Sequence, residues 1–419
     1  MNHEPRVVIT GMGVVSPLGI GRRQFWQGLS AGYSAAKPIT FFDASTYPTR
    51  IAGEVQNFDP VEFMSFKEAR RMDRSSQMIF AAAEMAVADS KIELSGDMSR
   101  IGVFTGTAVG GQSWAFREYE VFKEKGLKRI NPFTAISTFP NASSAQLSSK
   151  FGIKGPSDTI SSGCVSSTVA IGYAIDNLKM RRIDTAIVGG AEAPLDPGIF
   201  GAYCAARIMT TRCEHPAQSP RPFDAHRDGI LLSEGAAVLV CETAEHAMSR
   251  GARIYAEIAG WSHNSDPYSM MMLDPNGDQA VAVMLNAIAD AGLTVEHIDY
   301  VQAHAPGSVS DDRSEAYAIQ RVLADRIKDV PVVSIKSMLG HTQGACGSIE
   351  TVAAVLSIHK KMILQSINCD ALDPGCLVQV HREKPTHKLI RALLLNTFGF
   401  GGKNASLVLR PFATDSREI

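Results

Sequence analysis

Short, continuous apolar runs alternate with stretches of helical spacing from one end of this chain to the other. The runs "RVVIT", "IGVFTG", "TAIVGG", "AAVLVCE", "VPVVSI" and "RALLLNT" have strand length, whereas "MIFAAAEMAVADS" and "AVAVMLNAIADAGL" repeat their apolar residues at helical intervals. Uninterrupted apolar strands set between helices predict an α/β protein whose sheet is covered on both faces. Pro and Gly are spread through turns, and no low-complexity stretch or linker divides the pattern.

Two stretches share one plan. In "SDTISSGCVSSTVAIGYA", residues 157–174, a β-prone run ends at Ser161-Ser162-Gly163, and a helix of small residues follows Cys164. In "PVVSIKSMLGHTQGACGSIETVAAVLSIHKK", residues 331–361, a strand again leads through a glycine turn into a small-residue helix. Both helices end in cations, Lys179 with Arg181 and Arg182, and Lys360 with Lys361, where the macrodipole favours positive charge. Two such helices, each entered from a strand, predict two similar halves, residues 1–253 and 254–412, with a tail at 413–419.

Composition narrows the classes of function. The chain has 419 residues, 45% hydrophobic and 20% charged, enough to bury a large core. A formal charge of −2 argues against binding nucleic acid through general phosphate neutralisation. Seven cysteines without a CxxC pair fit reduced thiols in a cytoplasm. "MNHEPRVVITGMG" carries Glu4 and too short an apolar run for a signal peptide, and no later run has membrane-spanning length. "GMGVVS", from Gly11 to Ser16, lacks the third glycine of a dinucleotide fingerprint.

Cys164 is the cysteine best placed for chemistry. A thiol at a helix N-terminus meets unpaired N–H groups and the positive end of the dipole, which favour the thiolate, a nucleophile for thioesters. His304, at the end of "IDYVQAHAPGS", and His341, in "KSMLGHTQG", stand at strand-to-loop junctions where donors can hold a thioester carbonyl as it becomes an enolate. Glu350 lies inside the apolar "CGSIETVAAVL" and requires a partner such as Lys336 or a backbone donor. In "NTFGFGGKNASLVL", Gly399, Gly401 and Gly402 flank Phe400, whose backbone N–H can serve an oxyanion and whose ring can gate a pocket.

Together these segments resemble the β-ketoacyl-acyl-carrier-protein synthases of the thiolase superfamily, type II elongating enzymes and related polyketide ketosynthases. The resemblance runs through "VVITGMGVVSPLG", "RMDRSSQMIFAAAEMA", "SGCVSS", "SPRPFDAHRDGILLSEGAAVLVCE", "KSMLGHTQGACGSIE" and "FGFGG". It implies a thiolase-like fold of two pseudo-duplicated halves in five α-β-α-β-α layers. It further implies decarboxylative condensation of an acyl-enzyme with malonyl-carrier, in fatty-acid or specialised polyketide or polyene synthesis, with no metal or redox cofactor. By resemblance Cys164 accepts the acyl group, His304 and His341 bind the malonyl carbonyl, and Lys336 supports them. Glu315 and Glu350 fall where the family has supporting acids, and the N–H groups of Cys164 and Phe400 form the oxyanion hole.

The family's His-Gly-Thr-Gly-Thr is replaced here by His304-Ala305-Pro306-Gly307-Ser308. Pro306 has neither hydroxyl nor N–H, so Ser308 keeps one grip on the phosphopantetheine arm while the other is lost. The methionines of "SMMMLDPNG", from residue 269, are expected to line a malleable pocket or fill core. These departures keep a non-condensing acyltransferase as an alternative. The implied partner is an acidic acyl carrier protein, met by Lys67, Arg70, Arg71 and Arg74, by Arg207, and by Lys123, Lys125, Lys128 and Arg129. The resemblance also implies a homodimer, or a heterodimer with a chain-length-factor-like subunit. The silent partner in such pairs lacks the cysteine retained here.

Overall fold

The apolar runs form the strands of one large sheet in a computed structural model that describes residues 4–413. Of the tail expected at 413–419, residues 414–419 lie outside the described residues. The strands that set the architecture are β1 (Val7–Ser16), β2 (Ile101–Gly106), β3 (Ser157–Ile160), β4 (Thr185–Glu192) and β5 (Gly235–Thr243). They are followed by β6 (Ala256–Ser265), β7 (Ile298–Gln302), β8 (Val332–Val333), β9 (Ala392–Gly399) and β10 (Lys403–Arg410). Across the sheet they run β8-β7-β9-β10-β6-β1-β5-β4-β2-β3, with the short strand Gly19–Ile20 folded back on β1.

That order contains a repeat. Read outward from the centre, one half runs β1-β5-β4-β2-β3 and the other β6-β10-β9-β7-β8, so strands of equal rank in each half occupy equal places. Directions repeat as well: β1–β5 and β6–β10 are antiparallel, as are β4–β5 and β9–β10, whereas β2–β4, β2–β3, β7–β9 and β7–β8 are parallel. The halves join where Val7, Val8 and Ile9 pair with Ile258, Glu257 and Ala256. Glu257 is clamped there by Arg6 at 2.6 Å and Arg410 at 2.9 Å.

Helices complete five layers. α1 (Arg74–Ser90), capped by Asp73, covers the outer face of the first half, together with α2 (Ala142–Phe151). α3 (Ser166–Lys179) lies in the middle, touching strands of both halves. α4 (Asp278–Asp290) and α5 (Val309–Leu323) cover the second half, and α6 (Cys346–Lys360) joins α3 in the middle layer.

α6 is buried on every side because strands of both halves pack against it. Every residue of α6 from Cys346 to Ile358 is buried, and each of its large aliphatic side chains contributes roughly 1.5–3 kcal/mol by leaving water. Small residues let the two helices touch: a Cβ on Gly347 would lie 1.9 Å from Thr168 Oγ1, and Ser348 N–H donates to Ser167 Oγ at 3.0 Å. This contact sets the loops before α3 and α6 side by side.

Candidate active site

The loop from β3 to α3 carries Cys164. Gly163, at φ 60°, turns the chain, and Ser166 Oγ accepts from Ser162 N–H at 2.8 Å and donates to Gly163 O at 2.6 Å. The helix starts at Ser166, two residues beyond the cysteine. Cys346 Sγ, at the start of α6, donates to Cys164 O at 3.2 Å and ties the loops together. Gly399 must be small, since a Cβ there would lie 3.0 Å from that of Cys164.

The short helix Lys336–Leu339 and a glycine turn present His341, whose Nε2 lies 3.2 Å from Cys164 Sγ. His304 follows β7, and its ring centre is 5.2 Å from that of His341, nearly perpendicular to it at 84°. Glu315, on α5, accepts from the backbone N–H groups of His304 and Ala305 at 2.8 and 2.7 Å, so it holds the chain that presents the imidazole. Lys336 and Glu350 form a buried ion pair, the partner that a carboxylate inside α6 requires.

Electrostatics depart from the expectation of a resting thiolate. Burial pushes the Cys164 thiol up to about 12, against the opposing pull of Lys336 and the Phe400 N–H, while Glu192 and Asp311 push it further the same way. Desolvation outweighs the helix end because the sulfur lies before the first helical turn, among apolar groups. Burial, reinforced by Lys336, also holds both imidazoles well below their usual range. Lys336 itself is kept above its ordinary value: burial alone would discharge it, but Glu350 opposes this. The resting set is therefore a neutral thiol beside two neutral imidazoles.

Phe400 sits at the tip of the β9–β10 hairpin. Its tip is fastened to residues 266–274: Gly401 N–H donates to Met270 O at 2.9 Å, and a Cβ on Gly402 would lie 1.7 Å from Asp266 O. The cavity at Cys164 holds about 30 Å³ of free space and is lined by His304, His341, Phe398 and Phe400, with Leu273, Pro306, Asp311, Tyr203 and Gln343. That is room for a water or two. An acyl chain enters only when part of this wall moves.

The other expected residues take these places. Met270, Met271 and Met272 are exposed, neither core nor pocket, and Leu273 is the residue of that segment which reaches the cavity. Ser308 caps α5 through Asp311 N–H, and of this stretch Pro306, in the loop before the helix, and Asp311, in its first turn, reach the cavity. Arg74 donates through Nε and Nη2 to the two carboxylate oxygens of Glu234, each at 2.7 Å, so its charge is spent inside the protein. Lys67, Arg70, Arg71 and Arg207 are exposed.

Two contributors escaped the sequence reading. Glu192, at the end of β4, accepts from Thr107 Oγ1 and the N–H groups of Ala108, Val109 and Gly344, joining the two halves beside the site; burial pushes it up to about 7. Its signal was an acid closing the apolar run "TAIVGGAE". Asp311 had none, because only folding carries it from α5 to the cavity, where it accepts from Leu273 N–H.

Residues 4–247 match the beta-ketoacyl synthase N-terminal domain, and residues 255–370 match the corresponding C-terminal domain. The chain belongs to the β-ketoacyl synthase family. It is 39% identical to a 3-oxoacyl-[acyl-carrier-protein] synthase 2 of Coxiella burnetii, over 96% of this chain and 98% of the relative. It is 38% identical to the granaticin polyketide putative beta-ketoacyl synthase 1 of Streptomyces violaceoruber, over 96% and 98%. Among solved structures, the ishigamide ketosynthase/chain length factor superposes with a TM-score of 0.91 at 31% identity, covering 98% of this chain and 100% of that one. This ketosynthase thus has the thiolase fold and is an acyltransferase, and no helix among its described residues is long and apolar enough to cross a membrane.

Proposed function

We propose that this ketosynthase condenses a Cys164-bound acyl group with a malonyl unit, both delivered on the phosphopantetheine arm of an acyl carrier protein. The observation that carries this reading is the 3.2 Å approach of His341 Nε2 to Cys164 Sγ, with the His304 ring adjoining. His341 takes the thiol proton as sulfur attacks the acyl thioester, and returns it to the departing carrier thiolate. The Cys164 and Phe400 N–H groups then face the acyl oxygen.

In the second stage the malonyl carboxylate leaves as carbon dioxide, and its electron pair passes into an enolate whose oxygen is held by the two imidazoles. The enolate carbon attacks the acyl-cysteine, the C–S bond breaks with its electron pair on the Cys164 sulfur, one proton taken up from solvent restores the resting thiol, and the β-ketoacyl-carrier departs. Neither Nδ1 has a partner among the described residues. Each ring can therefore carry its hydrogen on either nitrogen, which suits His341, a group that accepts first and donates afterwards.

Lys67, Arg70, Arg71 and Arg207 support docking of an acidic carrier. The exposed apolar residues Phe116, Tyr119, Phe122, Leu127, Ile136 and Phe139, and separately the free edge of β3, support a homodimer. Seven free cysteines fit a reducing cytoplasm. Pro306 in the cavity wall favours a second reading, acyl transfer without condensation.

The test is intact-protein mass measurement with acyl-carrier, followed by carbon dioxide release from malonyl-carrier. The wild type is expected to gain one acyl group, lost in Cys164→Ala, and to release carbon dioxide at a rate cut at least about 100-fold in His304→Ala and His341→Ala. An acyl adduct that survives Cys164→Ala would overturn the assignment. Acylation without carbon dioxide release would leave acyl transfer alone.

A further inference from the structure

The lining of the cavity holds a polar pair that the condensation chemistry leaves unused. Gln343 is 1% exposed and lines the same 30 Å³ space as Cys164. Neither its Nε2 nor its Oε1 makes a hydrogen bond with any described group. Buried amides are almost always paired, because the lost hydration is otherwise uncompensated. Tyr203 lines the cavity beside it, its phenol close to the Gln343 amide without completing a hydrogen bond, and burial pushes that phenol up.

The backbone is built to put Gln343 there. Its φ is 45°, a left-handed conformation that a non-glycine residue adopts only when the surroundings impose it. The imposing contact is next door. Gly344 N–H donates to Glu192 Oε2 at 3.0 Å, and a Cβ on Gly344 would lie 2.4 Å from Ala108 N. The clamp holds the chain against the other half and turns the Gln343 amide inward.

We infer that the acyl group this enzyme accepts carries a hydroxyl or carbonyl oxygen near its thioester end, hydrogen-bonded by Gln343 and Tyr203. A carbonyl oxygen accepts from Gln343 Nε2 and the Tyr203 hydroxyl, and a hydroxyl can also donate to Gln343 Oε1. A saturated chain satisfies neither and strands the amide against methylenes. A site with buried polar groups rejects a substrate that leaves them unpaired far more strongly than an apolar pocket rejects one methylene. This inference rests on Cys164 being the acyl acceptor.

The experiment compares butyryl, 3-hydroxybutyryl and 3-oxobutyryl thioesters of pantetheine, following adduct formation on Cys164 by intact mass over time. In the wild type at least one oxygenated chain is expected to load about tenfold faster than butyryl. Gln343→Leu brings the ratio to about one, and Tyr203→Phe, which deletes a single oxygen atom, lowers it severalfold. Butyryl loading as fast as both oxygenated chains in the wild type would overturn the inference while leaving the acyl-enzyme reading intact. An unchanged ratio in both variants would overturn it equally. No adduct from any of the three would overturn the acyl-acceptor reading and this inference with it.

Discussion

Cys164 starts from a protonated thiol, and its reactivity should reveal this. With burial holding the group near 12, the thiolate fraction stays small throughout the neutral range and grows tenfold with each pH unit. Alkylation of Cys164 by iodoacetamide, followed by peptide mass mapping, is expected to accelerate about tenfold per unit between pH 7 and 9. A rate already level above pH 7 would indicate a preformed thiolate and remove the need for His341 as base. The same desolvation makes the buried Lys336–Glu350 pair consequential: the ammonium lowers both imidazole pKa values and opposes the rise at the thiol. One buried ammonium thus adjusts three reacting groups without lining the cavity.

At the scale of elements, the geometry of the site depends on how α3 and α6 meet. The nucleophile hangs from the start of one and His341 from the approach to the other, so their separation follows the Gly347–Thr168 contact. Gly347→Ala would add about 1 kcal/mol of helix propensity but place a methyl 1.9 Å from Thr168 Oγ1, an overpacking that costs about 1–3 kcal/mol. Thr168 cannot yield freely, since it shares a hydrogen bond of 2.8 Å with Thr397 on β9. The variant is expected to unfold at lower urea concentration and to acylate more slowly. A higher midpoint with unchanged acylation would show the contact to be slack.

At the scale of the molecule, two surfaces remain beyond the catalytic wall. The exposed cations predict that Lys67→Glu combined with Arg71→Glu raises the KM for carrier-borne substrate about tenfold, with little change for the same acyl group on free pantetheine. An equal loss on both substrates would mean that the residues act on the fold. The exposed apolar side chains of Phe122 and Phe139 predict a dimer in sedimentation velocity, shifted toward monomer by Phe122→Asp with Phe139→Asp. A monomeric wild type would overturn the homodimer and turn attention to a different partner chain.

Local chemistry made much of this legible along the chain. Continuous apolar runs announce buried strands, glycine turns announce the sharp entries into α3 and α6, and Cys164, His304 and His341 stand out because each ends a strand or turn. A carboxylate inside an apolar helix likewise demanded a partner, and Lys336 supplies it. What the order of residues did not contain was dielectric and distance. Helix-end logic favoured a thiolate at Cys164, yet packing from both halves buried the sulfur and reversed the sign of its shift. Charge runs suggested a free Arg74, but Glu234, distant in sequence, neutralises it. Gln343 read as one more turn residue until folding closed Glu192 over Gly344 and aimed its amide into the cavity. Short-range preference is written in neighbouring residues, whereas burial and the pairing of charges belong to groups that only the tertiary fold brings within reach.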